Sequence, residues 1–441
     1  MSRKQTILKG TFILTATGLI TRVMGFFYRI FLSHTFGESG VGLYQLIFPV
    51  YALGFSLTSA GIELALSRCV SKYITLNNKR RAREMLYTSI SLTLFLSISF
   101  LLLLQHYSAP IAFHYLHNPE TEELLLLLSY AFPFAAIHSC IVGYYLGFKN
   151  TRIPAISQLF EQSFRILSVF LFYRLSTIYL FRFKIVFAVL GLIIGEIAAC
   201  LFCLKAVTGK FLKFHPPTFA PADFISCSKE LLILSFPVTG SRVLLNILQS
   251  IEAISIPLSL ENFGMSAKEA LSTYGVLTGM ALPCILFPSA ITNAVSTMLL
   301  PTVAEIQTVN DYRTLMSIIK KTIISCTFLG IICCVSFLLF GKTAGKIMFN
   351  STLASQFIIT LAWICPFLYT NNTLISIING IGKTGISFII NVLNLSIRIV
   401  CIFFIIPQCG IYGYLIGLLL SQAFVFISCI FYLYKLFKAE E

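Results

Sequence analysis

The chain has 441 residues, 57% of them apolar and only 11% charged, with a mean hydropathy of +0.87. Soluble chains carry about 25% charged residues, and a soluble domain of this size has too little interior for so much apolar surface. Soluble enzymes, secreted disulfide scaffolds and nucleic-acid binders fit poorly. The chain reads as an all-α polytopic membrane protein.

Apolar runs of roughly 20 residues match the thickness of a bilayer core. Twelve are expected in chain order: 7–31, 41–66, 86–107, 124–147, 153–175 and 185–207, then 231–257, 271–299, 315–340, 352–379, 386–407 and 411–436. The N-terminal run continues through Arg22 to Arg29 without a small-residue cleavage site, so it is kept as the first span and not as a signal peptide. The net charge of +15 follows the loops. With both termini inside, 21 Lys and Arg fall in cytoplasmic segments, including the basic run Lys79-Arg-Arg-Ala-Arg83, against six in external ones. This bias predicts cytoplasmic termini. The 13 cysteines sit mostly singly in apolar runs, as packing residues do. Cys200 and Cys203 lack a second pair, so no metal site and no cofactor is expected.

Two copies of a six-helix unit are expected. Gln158-Leu-Phe-Glu-Gln-Ser-Phe-Arg-Ile166 aligns with Asn391-Val-Leu-Asn-Leu-Ser-Ile-Arg-Ile399, and Gly191-Leu-Ile-Ile-Gly-Glu196 with Gly417-Leu-Leu-Leu-Ser-Gln422. Six helices is an even number, so the copies share orientation and are related by a pseudo-two-fold axis along the membrane normal. The expected lobes are 1–210 and 230–441, joined by a cytoplasmic connection over 211–229.

An ionisable residue inside a span costs roughly 2.5–3.5 kcal/mol on insertion scales, so each needs a reason. Arg22 and Arg29 lie seven residues apart, on one helical face, with no acid in their span. They point to a water-filled cavity that binds an anion such as a phosphate. The alternative is that Arg29 snorkels outward and Arg22 pairs with a distant glutamate. Arg242, Asn246, Gln249 and Glu252 form one stripe on the seventh span, which a lipid-facing helix would not carry. Thr292, Asn293 and Ser296 add polar groups on the eighth. Glu161 and Arg165 are four apart and are expected to neutralise each other as a structural pair. Asn394 replaces Glu161 in the second copy, leaving Arg398 to find another acid. Glu196 has Gln422 as its counterpart, so the first lobe is the more charged. Gly382-Lys383-Thr384 imitates the end of a phosphate loop, but the required glycine five residues earlier is Ile377.

Several of these stretches resemble a known family. They are Thr21-Arg-Val-Met-Gly-Phe-Phe-Tyr-Arg29, Gly42-Leu-Tyr-Gln-Leu-Ile-Phe-Pro49, Ser157 through Ile166, Ile256-Pro-Leu-Ser-Leu260, Gly279-Met-Ala-Leu-Pro283 and Leu300-Pro301. Together they resemble the stage V sporulation protein B-like polysaccharide flippases of the multidrug/oligosaccharidyl-lipid/polysaccharide exporter superfamily. The resemblance implies two six-helix lobes, alternating access and movement of a lipid-diphosphate-linked sugar across the bacterial cytoplasmic membrane. Arg22 also matches the Arg-Val-x-Gly-Phe motif of the lipid II flippases, whose arginines in this helix line the cavity. Members commonly have fourteen helices, the last two building a groove for the lipid tail, and only twelve are expected here.

The leading expectation is therefore a monomeric flippase, not an enzyme. Arg22, Arg29 and Arg242 would hold a diphosphate, and Asn246, Gln249 and Asn293 would contact sugar or water. Membrane lipids surround it, and Na+ or H+ is a possible coupling cation. Glu252 keeps open an ion-coupled exporter of organic cations on the same fold. A third reading is a non-transporting scaffold in sporulation or division.

Overall fold

The computed structural model describes residues 3–180, 182–211, 221–308 and 312–438. These are predominantly helical, with no strand among them. The first half contains α1 (Arg3–Leu46), α2 (Phe48–Phe55), α3 (Gly61–Thr75), α4 (Lys79–His106), α5 (Thr121–Ser129), α6 (Ala131–Gly147), α7 (Arg152–Tyr179) and α8 (Val186–Phe211). The second contains α9 (Pro221–Asn262), α10 (Ala267–Gly275), α11 (Ser289–Thr308), α12 (Tyr312–Phe349), α13 (Thr352–Leu361), α14 (Cys365–Gly380), α15 (Thr384–Phe404) and α16 (Ile411–Lys438). The helices start where the chain supplies caps. Asn78 accepts the Arg81 amide at 3.0 Å ahead of α4, and Ser266 forms a capping box with Glu269 ahead of α10.

Nine described helices are long and apolar enough to cross a membrane, or ten when α5 and α6, bent by 43°, make one span. Two further crossings fall outside that criterion. The run from Phe12 to Thr75 is 64 residues long, enough for two passages, and Gly37 breaks it at φ 67°, ψ −174°, where glycine avoids a Cβ clash. The helix α7 carries Glu161 and Arg165, which lower its hydropathy. The chain is thus a multi-pass, all-helical membrane protein. Its exterior agrees: Phe328, Leu339 and Phe340 on α12 are each more than 60% exposed, a pattern suited to acyl chains and not to water.

Two compact units divide the described chain, and neither is a continuous half. Unit 1 comprises residues 1–25 and 46–250, and unit 2 comprises 26–45 and 251–441. Relative to a linear division, the second half of α1 belongs with unit 2 and the first 30 residues of α9 belong with unit 1. Side-chain chemistry explains both. Glu38 accepts from Ser272 (2.7 Å) and Ser351 (2.6 Å), and the Phe26 ring packs at a tilt 4.7 Å from that of Phe287, fixing 26–45 within unit 2. Arg81 reaches Asp223 at 3.2 Å and Lys72 reaches Glu230 at 2.9 Å, fixing the start of α9 within unit 1. Of the expected connection 211–229, residues 212–220 lie outside the described residues. The rest is shorter than expected, because α9 is already helical from Pro221, a residue favoured in a first turn.

Each unit has its own core. Leu66, Met85, Leu86, Ile141, Tyr144, Cys203 and Leu231 anchor the first, and Val303, Leu374, Ile377, Ile378, Val425 and Cys429 anchor the second. The internal repeat is visible in the packing. Helices α7 and α8 pack together, as do α15 and α16. Gly191 lies against Ser168 and Val169, while Gly417 lies against Cys401, the position that the repeat register pairs with Ser168.

Candidate functional site

The first part of α9 lies against α2 and α3 in antiparallel register within unit 1. Glu230 meets Lys72 and Tyr73, Ser235 and Thr239 approach Gly61, and Asn246 meets Ser56 and Ala52. Close approach at Gly61 needs a residue without a side chain, since a Cβ there would strike Thr239. The Asn246 amide donates to the Ser56 hydroxyl (2.6 Å) and the Ala52 carbonyl (3.2 Å), so its donors are already occupied. Arg242 and Gln249 flank this contact and are exposed. Arg242 lies within electrostatic range of Glu63 but forms no ion pair or hydrogen bond among the described residues. Arg22, also in unit 1, is exposed and likewise without such a partner among the described residues.

A cavity of about 390 Å³ opens inside unit 1, lined among others by Tyr51, Glu63, His138, Ser157, Glu161 and Glu196. Glu161 and Arg165 pair across one turn of α7, as their spacing predicts. Gln162 also accepts from Arg165, at 3.4 Å. Glu196 has two other neighbours. The Tyr51 hydroxyl donates to its Oε1 at 2.9 Å, and His138 Nδ1 stands 3.4 Å from its Oε2. His138 Nε2 lies 3.1 Å from the Ser157 hydroxyl.

Unit 2 resolves the question of Arg398. Its guanidinium sits 2.8 Å from Glu252, and Tyr414 donates to the same carboxylate at 2.7 Å. Glu252 is therefore buried and neutralised. Gln422 accepts the Asn371 amide at 2.9 Å, and the Asn394 side-chain oxygen has no hydrogen-bond partner among the described residues. Asn293 donates to Ser289 at 3.5 Å. Arg29, half-buried, donates to the Thr278 carbonyl at 3.4 Å and belongs to unit 2, whereas Arg22 belongs to unit 1.

Three of the cavity residues, Tyr51, Glu63 and His138, are not found by sequence reasoning centred on arginines and repeat-matched positions. The signal was present for two of them. His138 and Glu63 are ionisable residues within apolar runs, and each therefore needs a partner. Tyr51 carries no such mark, because an aromatic residue in a span is ordinary core.

The described residues define a class, the multi-pass all-helical membrane protein of two compact units. The chain resembles an inward-facing multidrug resistance MATE family transporter of the MOP superfamily, with a TM-score of 0.72 at 14% identity, over 97% of this chain and 98% of that one. It also resembles the lipid II flippase MurJ in its inward closed conformation, with a TM-score of 0.74 at 16% identity, over 96% of this chain and 87% of that one. At such identities the likeness concerns the fold. The model of the polysaccharide biosynthesis protein family matches residues 7–307, and the chain belongs to that family. Among curated relatives, stage V sporulation protein B of Bacillus subtilis (strain 168) is 28% identical over 96% of this chain and 82% of its own length. Lipid II flippase MurJ of the same organism is 25% identical over 89% of this chain and 76% of its own.

Proposed function

We propose that the chain is a flippase for an anionic, lipid-linked glycan precursor in the bacterial cytoplasmic membrane, working by alternating access and catalysing no covalent chemistry. The observation that carries this reading is Arg22, a guanidinium in a membrane-crossing helix, exposed and with no ion pair among the described residues. Hydrocarbon would not tolerate such a group, and an arginine fork suits the oxygens of a diphosphate. Arg242 is the second cation of the same kind in unit 1, with Gln249 two turns further along α9 as a neutral donor for sugar hydroxyls. Arg29 ranks behind them, because part of its donor capacity already serves Thr278. The names of the relatives, a lipid II flippase and a sporulation protein, support this direction. Reconstitution into proteoliposomes with a fluorescent undecaprenyl-diphosphate sugar tests it. Wild-type protein should move the lipid between leaflets, and Arg22→Ala should not.

The cavity lined by Glu63, Glu161 and Glu196 favours a second reading, cation-driven export of small organic cations. Dye efflux from the same proteoliposomes, driven by a Na+ or H+ gradient, separates the two. Efflux without lipid movement would replace the first reading with the second.

A further inference from the structure

We propose that His138, Glu161 and Glu196 form a binding site for one divalent first-row transition-metal ion inside unit 1. One donor atom from each of the three residues lies within 4.8 Å of the other two. The side chains come from α6, α7 and α8 and are only 13%, 20% and 7% exposed, so the point where they meet is nearly dry yet borders the cavity.

The hydrogen bonds fix which lone pairs face that point. The Ser157 hydroxyl gives its one proton to the Pro154 carbonyl at 2.9 Å, so its oxygen can only accept from His138. His138 Nε2 therefore carries a hydrogen and donates to Ser157 at 3.1 Å. Nδ1 faces Glu196 Oε2, 3.4 Å away, and in the neutral imidazole it presents a lone pair there. A proton on Nδ1, pairing with Glu196, and a metal ion compete for this gap, so the metal displaces that proton as it binds. Donors each about 2.1 Å from a tetrahedral ion stand about 3.4 Å apart, the spacing of His138 Nδ1 and Glu196 Oε2, and all three residues bring a donor within 4.8 Å of the others.

Every donor also has a group behind it. Ser157 holds the imidazole, Tyr51 holds Glu196 through its other oxygen, and Arg165 holds Glu161. Metal-ligating residues are oriented by such outer partners. Charge points the same way. Three carboxyl groups, of Glu63, Glu161 and Glu196, line the cavity, with Arg165 paired to Glu161 and Arg242 in electrostatic range of Glu63. An imidazole nitrogen beside two carboxylates selects zinc, cobalt or manganese over sodium or calcium, which take oxygen donors.

The test uses the full-length protein in detergent, stripped with chelator and dialysed against Zn2+ or Co2+. Binding is read without any transported substrate, so it succeeds or fails separately from the flippase reading. One ion per chain is expected, with Co2+ giving the visible absorption of a low-coordinate site. His138→Gln and Glu196→Gln should abolish stoichiometric uptake. Ser157→Ala, which keeps all three ligands and tests the site if the others fail to fold, should weaken binding 10–100-fold. The proposal is overturned by uptake below one ion per chain, by uptake unchanged in both His138→Gln and Ser157→Ala, or by displacement of the ion by Na+. It is also overturned if the His138 imidazole is doubly protonated in metal-saturating buffer.

Discussion

Arg398 Nη1 lies 2.8 Å from Glu252 Oε1, which joins α15 to the end of α9 inside unit 2. The pseudo-equivalent Arg165 instead finds its acid one turn away on its own helix. The same arginine thus does two jobs in the two copies. In unit 1 it closes a local pair, and in unit 2 it ties two distant segments together.

Breaking the unit 2 bridge should therefore be costly. Replacing Arg398 by Leu leaves Glu252 buried and facing only Tyr414, and removing one partner of a buried pair costs about 3–5 kcal/mol. The single variant should show a clearly lower melting temperature in detergent. The double replacement Glu252→Leu with Arg398→Leu should recover most of the loss. A double variant as unstable as the single would show that packing, and not charge, holds the contact.

The local pair in unit 1 is expected to matter for stability as well. Glu161→Leu and Arg165→Leu should each reduce yield or thermal stability, and the charge-swapped double variant should restore part of it. If both singles melt like wild type but lose transport, the pair belongs to the substrate path.

Much of this arrangement was legible in the sequence, for identifiable reasons. Helix-forming apolar runs announce spans because the bilayer allows few alternatives. The i, i+4 spacing of Glu161 and Arg165 announces their pairing, because a helix fixes that distance. The partner of Arg398 could not be named, since Glu252 lies far away in the chain and only the packing of α9 against α15 and α16 brings it near. The stripe on α9 follows from helical periodicity, and its members have different surroundings in the structure. Asn246 is hydrogen-bonded within unit 1 and Glu252 ion-paired within unit 2, while Arg242 and Gln249 are exposed. Periodicity identifies a face and cannot say what covers it.

Gly61 gives a packing prediction. Its missing side chain lets α9 approach α3, with Thr239 and the Ser235 carbonyl in the space a Cβ would take. Gly61→Val should separate the helices and lower the melting temperature by several degrees, the effect of an overpacked contact costing about 1–3 kcal/mol. Thr239→Ala in the same background should relieve part of the strain. An unchanged melting temperature in Gly61→Val would mean that the helices are not pressed together there.

Orientation can be read by reporter fusions. The bias of 21 Lys and Arg in one set of loops against six in the other predicts that both termini lie inside. A reporter active only outside should be silent after Glu441 and at Lys79, and active at Asn118. Activity after Glu441 would mean an odd number of crossings and would remove the even-numbered repeat on which the two-copy reading rests.

The most decisive variants are those of Arg22. It lies in unit 1, exposed, on a helix that crosses the membrane, with no acid bonded to it among the described residues. A diphosphate brings about two negative charges, and a guanidinium offers it two parallel N–H bonds, whereas a lysine offers a point charge. Arg22→Ala should therefore lose binding of the lipid-linked sugar while keeping its melting temperature, because no internal bond is broken. Arg22→Lys should recover only part of the transport rate, and Arg242→Ala should weaken binding less, since Glu63 already offsets some of its charge. Transport of the lipid-linked sugar at the normal rate by Arg22→Ala would show that this arginine serves the membrane interface and not the substrate.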